Sequence, residues 1–150
     1  MAGEPLTIVL AEDDDGHATL VQRNLERAGF ANGFYRLKDG QEALDFLRGE
    51  GAYAGHSLAD DNILLLLDIK MPRVDGVEVL RQLKADPRTA TMPVIILTTT
   101  DDPREVQRCY QLGCNVYITK PVEYPAFVEA IHRLGLFLQV VKMPHNGPKA

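Results

Sequence analysis

Aliphatic runs alternate with helical spacing along most of the chain. Leu6 to Ala11, Gly33 to Leu37, Ile63 to Asp68, Pro93 to Thr98 and Val116 to Thr119 read as five strands. The stretch Ile63-Leu64-Leu65-Leu66-Leu67 holds no polar residue, the pattern of a strand buried on both faces. Between the strands, Leu20, Val21, Leu25 and Ala28 recur at helical spacing before Gly29. Asp39 with Glu42 and Asp75 with Glu78 each have the form of an N-cap and its third-position partner. Asp102-Pro103 reads as a cap and a first-turn proline, and Gly113 lies where that helix should stop. Strands interleaved with helices predict an α/β domain, a doubly wound five-stranded parallel sheet with five flanking helices. The second run contains Tyr35 and Arg36 and the fifth ends in Thr119, so these two suit the sheet edges and the expected strand order is 2-1-3-4-5.

A chain of 150 residues has room for one such domain, expected over 1–141, followed by an aperiodic tail over 142–150. The turn-rich stretch 49–62 is longer than most helix-to-strand connections and reads as a solvated loop or a docking insertion. Sixteen Lys plus Arg stand against 21 Asp plus Glu, with no basic run, so the footprint of a direct nucleic-acid binder is missing. Residues 1–7 carry no export pattern, and no apolar stretch approaches the roughly 18 residues needed to span a bilayer; the expectation is a cytoplasmic protein without membrane contact. Cys109 and Cys114, without His or further Cys beside them, read as unpaired structural thiols.

The ends of the strands are where polar chemistry collects. The first run leads into Glu12, Asp13 and Asp14, the third ends at Asp68, the fourth at Thr98, and the fifth is followed by Lys120-Pro121. In a parallel sheet these ends share one rim, where open α/β folds keep their ligand sites. Carboxylates about 4 Å apart repel by roughly 4 kcal/mol at an effective dielectric near 20, so Glu12, Asp13 and Asp68 together call for a cation, and hard oxygens with open positions suit Mg2+. The plainer reading of Asp13 to Asp15 is capping of the first helix, and Thr98 or Lys120 alone would be unremarkable. Taken together, an aspartate beside Mg2+, an ammonium and a hydroxyl is a set suited to receiving a phosphoryl group on Asp68.

Glu12-Asp13, LDIKMPRVDG around Asp68, VIILT ending at Thr98 and YITKP ending at Pro121 resemble the receiver domain of two-component response regulators, over about residues 6–138. The resemblance implies a flavodoxin-like fold and a phosphoacceptor at Asp68, supplied by a phosphohistidine of a sensor histidine kinase. It implies Mg2+ held by Asp13 and Asp68, by Glu12 mainly through water, and by the Lys70 carbonyl. It implies phosphoryl contacts from Thr98 and Lys120, a cis Lys120–Pro121 bond, and a switch in which Thr98 moves and Tyr117 turns inward, biasing the surface of the fourth helix, fifth strand and fifth helix. Without the resemblance, Tyr117 is an ordinary edge-strand aromatic. Lys70 and Thr100 occupy positions that vary in the family and tune the lifetime of the phosphate.

The pattern consumes nearly the whole chain, so a stand-alone receiver is expected, acting through a partner. Phe127, Ile131, Leu134, Phe137 and Leu138 in the last helix exceed what one buried face needs, which suggests an interface for a homodimer or partner. The long loop and the LGCNVYITKP stretch are similar to single-domain receivers paired with phytochrome-type histidine kinases. Two other functions stay open. An Asp-nucleophile phosphatase of the haloacid-dehalogenase type would need a second carboxylate where Lys70 stands, and a scaffold independent of phosphorylation would not need Asp13, Asp68, Thr98 and Lys120 at all. A nucleotide-binding module is disfavoured, because acids stand where its glycines belong.

Overall fold

The computed structural model describes residues 6–30, 33–55 and 62–140. In chain order the elements are β1 (Leu6–Ala11), α1 (Asp15–Arg27), β2 (Phe34–Leu37), α2 (Gly40–Arg48), β3 (Asn62–Leu67), α3 (Gly76–Ala85), β4 (Val94–Thr98), α4 (Pro103–Leu112), β5 (Val116–Thr119) and α5 (Tyr124–Val140), with a 3-10 turn at Gly51–Tyr53. All strand pairs are parallel, and the order is β2-β1-β3-β4-β5. The strands most hydrophobic in sequence hold the middle of the sheet, and the two carrying Tyr35, Arg36 and Thr119 hold its edges, where water can satisfy polar side chains.

Alternation along each strand divides the core in two. Val9, Leu65, Leu67 and Ile96 face α2, α3 and α4, whereas Ile8, Leu10, Leu64, Leu66 and Ile95 face α1 and α5. Helices therefore cover both faces, which is why β3 can be apolar without a break from Ile63 to Leu67.

The helix starts follow the capping logic with two local differences. Asp14, Asp39, Asp75 and Asp102 accept hydrogen bonds from the N–H groups of His17, Glu42, Glu78 and Arg104 at 2.8–2.9 Å. Glu42 reaches back to Lys38 N–H rather than to the cap itself, and Glu78 turns instead to Arg81 and Gln82. Gly113 ends α4 in the left-handed conformation, φ 110°.

Two expectations change. The Lys120–Pro121 peptide is trans, in keeping with the trans preference of about 0.5–1 kcal/mol that X–Pro bonds retain. Four of the five apolar interface candidates, Phe127, Ile131, Leu134 and Leu138, are buried against the sheet and α1; their three- and four-residue spacing is the inner face of α5. Phe137 remains exposed, together with Leu136. The loop at 49–62 is described only to Gly55 and from Asn62; 56–61 and the expected tail at 142–150 lie outside the described residues.

Candidate functional site

β1 and β3 are neighbours in register, Ala11 beside Leu67, so the residues that follow them emerge side by side. Asp68 N–H still bonds to the Ala11 carbonyl at 3.0 Å, and Glu12 N–H bonds to the Leu37 carbonyl at 3.0 Å. The ladder thus continues one residue past the strands and fixes the backbone that carries both carboxylates. On the other side, Lys120 N–H bonds to the Thr98 carbonyl at 2.6 Å. Sheet geometry, and no local motif, brings four distant segments to one rim.

Glu12, Asp68, Thr98 and Lys120 are all buried, while Asp13 is exposed. Carboxylate oxygens of Glu12, Asp13 and Asp68 lie within 4.8 Å of one another. Lys120 Nζ donates to Glu12 Oε1 and, at 3.4 Å, to Asp68 Oδ2. The other Asp68 oxygen accepts from Ile69 N–H at 2.7 Å. Burial pushes the Glu12 carboxyl up to about 7; the hydrogen bond from Lys120 pulls the other way, and the Asp68 charge adds to the rise. Three carboxyl groups facing one ammonium leave negative charge in excess, and the cluster opens to solvent on the Asp13 side. An oxygen set of this kind fits a hard divalent cation that keeps water and phosphate oxygens among its ligands.

The Thr98 hydroxyl is fully buried with no hydrogen-bond partner, as is the hydroxyl oxygen of Thr100. A buried hydroxyl without a partner carries a desolvation cost of about 1–3 kcal/mol that an arriving acceptor would remove. Tyr117 OH donates to the Thr100 carbonyl at 2.6 Å, and burial pushes its phenol up to about 12. The Lys70 side chain is exposed.

Two site residues were not singled out for chemistry in the sequence. His17 Nδ1 lies 3.1 Å from Lys120 Nζ. Arg36, on the edge strand β2, donates to the Glu12 carbonyl and to Asp15 at 2.8 Å each, clamping the β1–α1 loop. The only signal for Arg36 was a charge in an otherwise apolar run; for His17 it was a histidine one turn beyond three acids.

The family model for the response regulator receiver domain matches residues 8–132. The chain belongs to this family. A receiver domain from Rhodospirillum rubrum is 48% identical in structural alignment, with a TM-score of 0.87 and coverage of 95% of this chain and 99% of that one. Response regulator Rcp1 of Synechocystis is 32% identical over 93% of this chain and 94% of its own length. The Mn2+-bound structure of Rcp1 has a TM-score of 0.84, covering 92% of this chain and 98% of that one at 31% identity. The phosphorylated cyanobacterial phytochrome response regulator RcpA also reaches 0.84, at 32% identity, covering 95% and 99%. The chain is therefore a receiver-domain response regulator with relatives associated with phytochrome signalling. Receiver domains bind divalent metal, and membership implies phosphorylation on an aspartate and a sensor histidine kinase as partner. Among the described residues of this receiver, no helix is long and apolar enough to cross a membrane.

Proposed function

We propose that this receiver accepts a phosphoryl group on Asp68 from a phosphohistidine, with Mg2+ held by Glu12, Asp13, Asp68 and the Lys70 carbonyl. The observation that carries the reading is the buried convergence of Lys120 on Asp68 and Glu12, with Thr98's unpartnered hydroxyl on the adjacent strand. Bound Mg2+ supplies neutralising charge to the phosphoryl oxygens.

In the transfer, an Asp68 oxygen forms a bond to phosphorus while the P–N bond of the donor imidazole breaks. The bonding pair leaves on the imidazole nitrogen. Lys120 is placed to donate to one phosphoryl oxygen, and Thr98 gains its missing acceptor in another. Movement of Thr98 toward the phosphate frees space beside β5, and Tyr117 turns into it, giving up its bond to the Thr100 carbonyl. No turnover of a released product is required, so the protein acts as a phosphoacceptor and not as a conventional enzyme.

The similarity to RcpA supports a phytochrome-type kinase as donor. Dimerisation through β5 and α5 fits an apolar groove of about 610 Å3 lined by Val116, Ile118, Ala130, Leu134 and the exposed Phe137. Incubation with acetyl phosphate, with Mg2+ or with chelator, tests the acceptor chemistry: about one phosphate per chain with metal and none without it. Labelling indifferent to metal would sink the reading. Phosphotransfer from a panel of purified kinases, and the elution volume of Phe137→Glu against wild type, test the donor and the dimer.

A further inference from the structure

An ammonium group has three N–H donors and no acceptor. Around Lys120 Nζ stand three acceptors: Glu12 Oε1, Asp68 Oδ2 at 3.4 Å and His17 Nδ1 at 3.1 Å. Because the lysine can only donate, Nδ1 must accept, which puts the imidazole proton on Nε2. The ring meets Phe127 of α5 edge-on, with centroids 5.3 Å apart and planes at 86°, and the backbone N–H of His17 donates to the Asp14 carboxylate at 2.9 Å, which fixes the helix start that carries the ring. His17 is thus a third, uncharged acceptor beside the one buried cation of the site.

We propose that His17 is a positioning residue for phosphoryl transfer, holding the Lys120 ammonium so that one N–H stays directed at the group arriving on Asp68. The inference rests on Asp68 being the acceptor. As the Asp68 oxygen bonds to phosphorus and the leaving group departs with its electron pair, negative charge is spread over the phosphoryl oxygens. Of the three contacts of Lys120, the one to Asp68 is the longest, so its N–H is the one that follows the charge onto a phosphoryl oxygen. Glu12 and His17 retain the other two. Without His17 a second N–H is free to swing to water, and the cation loses its fixed direction.

The test uses the full chain, Mg2+ and acetyl phosphate, whose P–O bond breaks to release acetate. His17→Leu fills the space beside Phe127 without an acceptor; His17→Asn restores an acceptor at the Nδ1 position. The Leu variant is expected to lower the saturated labelling rate roughly tenfold, the size of one hydrogen bond to a charged group, while Mg2+ affinity is unchanged and Asn recovers most of the rate. In 15N spectra the His17 Nδ1 signal is that of an accepting nitrogen, and it shifts on Lys120→Met. Wild-type rates in the Leu variant, equal slowing by Leu and Asn, or an Nδ1 signal indifferent to Lys120 would overturn the role of His17 while leaving Asp68 as acceptor. Failure of the wild-type chain to take phosphate, or labelling of Asp68→Asn as fast as wild type, would overturn both.

Discussion

Gly76 packs so closely on the segment carrying the central aspartate that a Cβ there would stand 2.1 Å from the Asp68 carbonyl oxygen and 2.7 Å from the Ile69 Cα. Gly76 N–H also bonds to the Ile69 carbonyl at 2.8 Å. Helix α3 therefore begins directly on the backbone behind the site, and its first residue helps set where Asp68 lies.

Gly76→Ala should cost about 2–4 kcal/mol, because the obstacle is backbone that cannot turn aside, and should also weaken Mg2+ binding. Gly29 provides the contrast: nothing lies within 4 Å of its would-be Cβ, but its φ is 103°. Gly29→Ala should cost only about 1–2 kcal/mol of backbone strain and leave Mg2+ binding intact. Urea unfolding and metal titration of the two variants check the distinction.

Metal-free protein should lose stability as pH rises through the acid range. The Glu12 carboxyl is raised from 4.5 to about 7, so between these values the native state holds a proton that the unfolded chain has released. The contribution is full below about 4.5 and gone above about 7, an effect on the order of 3 kcal/mol for this buried group. Mg2+ competes with that proton, so its affinity should fall on acidification below about 7. Melting curves at pH 5.5 and 8, with and without Mg2+, should show the larger metal-induced rise at pH 8.

Removing the Tyr117 hydroxyl in Tyr117→Phe deletes the bond to the Thr100 carbonyl and should cost about 0.5–1.5 kcal/mol. The Thr100 amide and its neighbours should exchange hydrogen faster in the variant, while phosphate uptake persists. Unchanged exchange would mean that Tyr117 does not restrain the β4–α4 loop.

Burial pushes the Cys109 and Cys114 thiols up to about 11 each, so almost none is thiolate at neutral pH. Both should resist alkylation in the native protein and react fully in urea, as a timed thiol assay would show.

Most of the architecture was legible because each strand announces its surroundings: an unbroken aliphatic run at Ile63–Leu67 can only sit between two helical layers, while Arg36 and Thr119 need an edge. Glu12, Asp13, Asp68, Thr98 and Lys120 could be assembled in advance because parallel topology puts strand ends on one rim. His17 and Arg36 could not, since each gains its role from a tertiary approach to Lys120 or to the Glu12 carbonyl that no spacing records. The apolar surplus of α5 is mostly interior, which a linear count does not reveal because it does not say how much of a helix the sheet covers; Phe127, Ile131, Leu134 and Leu138 are all inside.

The most direct test of the account follows phosphate from a purified, autophosphorylated histidine kinase onto wild-type chain and onto Asp68→Asn, with Mg2+ present. The account predicts transfer to the wild type alone, as an acid-labile, hydroxylamine-sensitive phosphate that maps to Asp68. Equal transfer to Asp68→Asn, or a phosphate mapping to another residue, would contradict it.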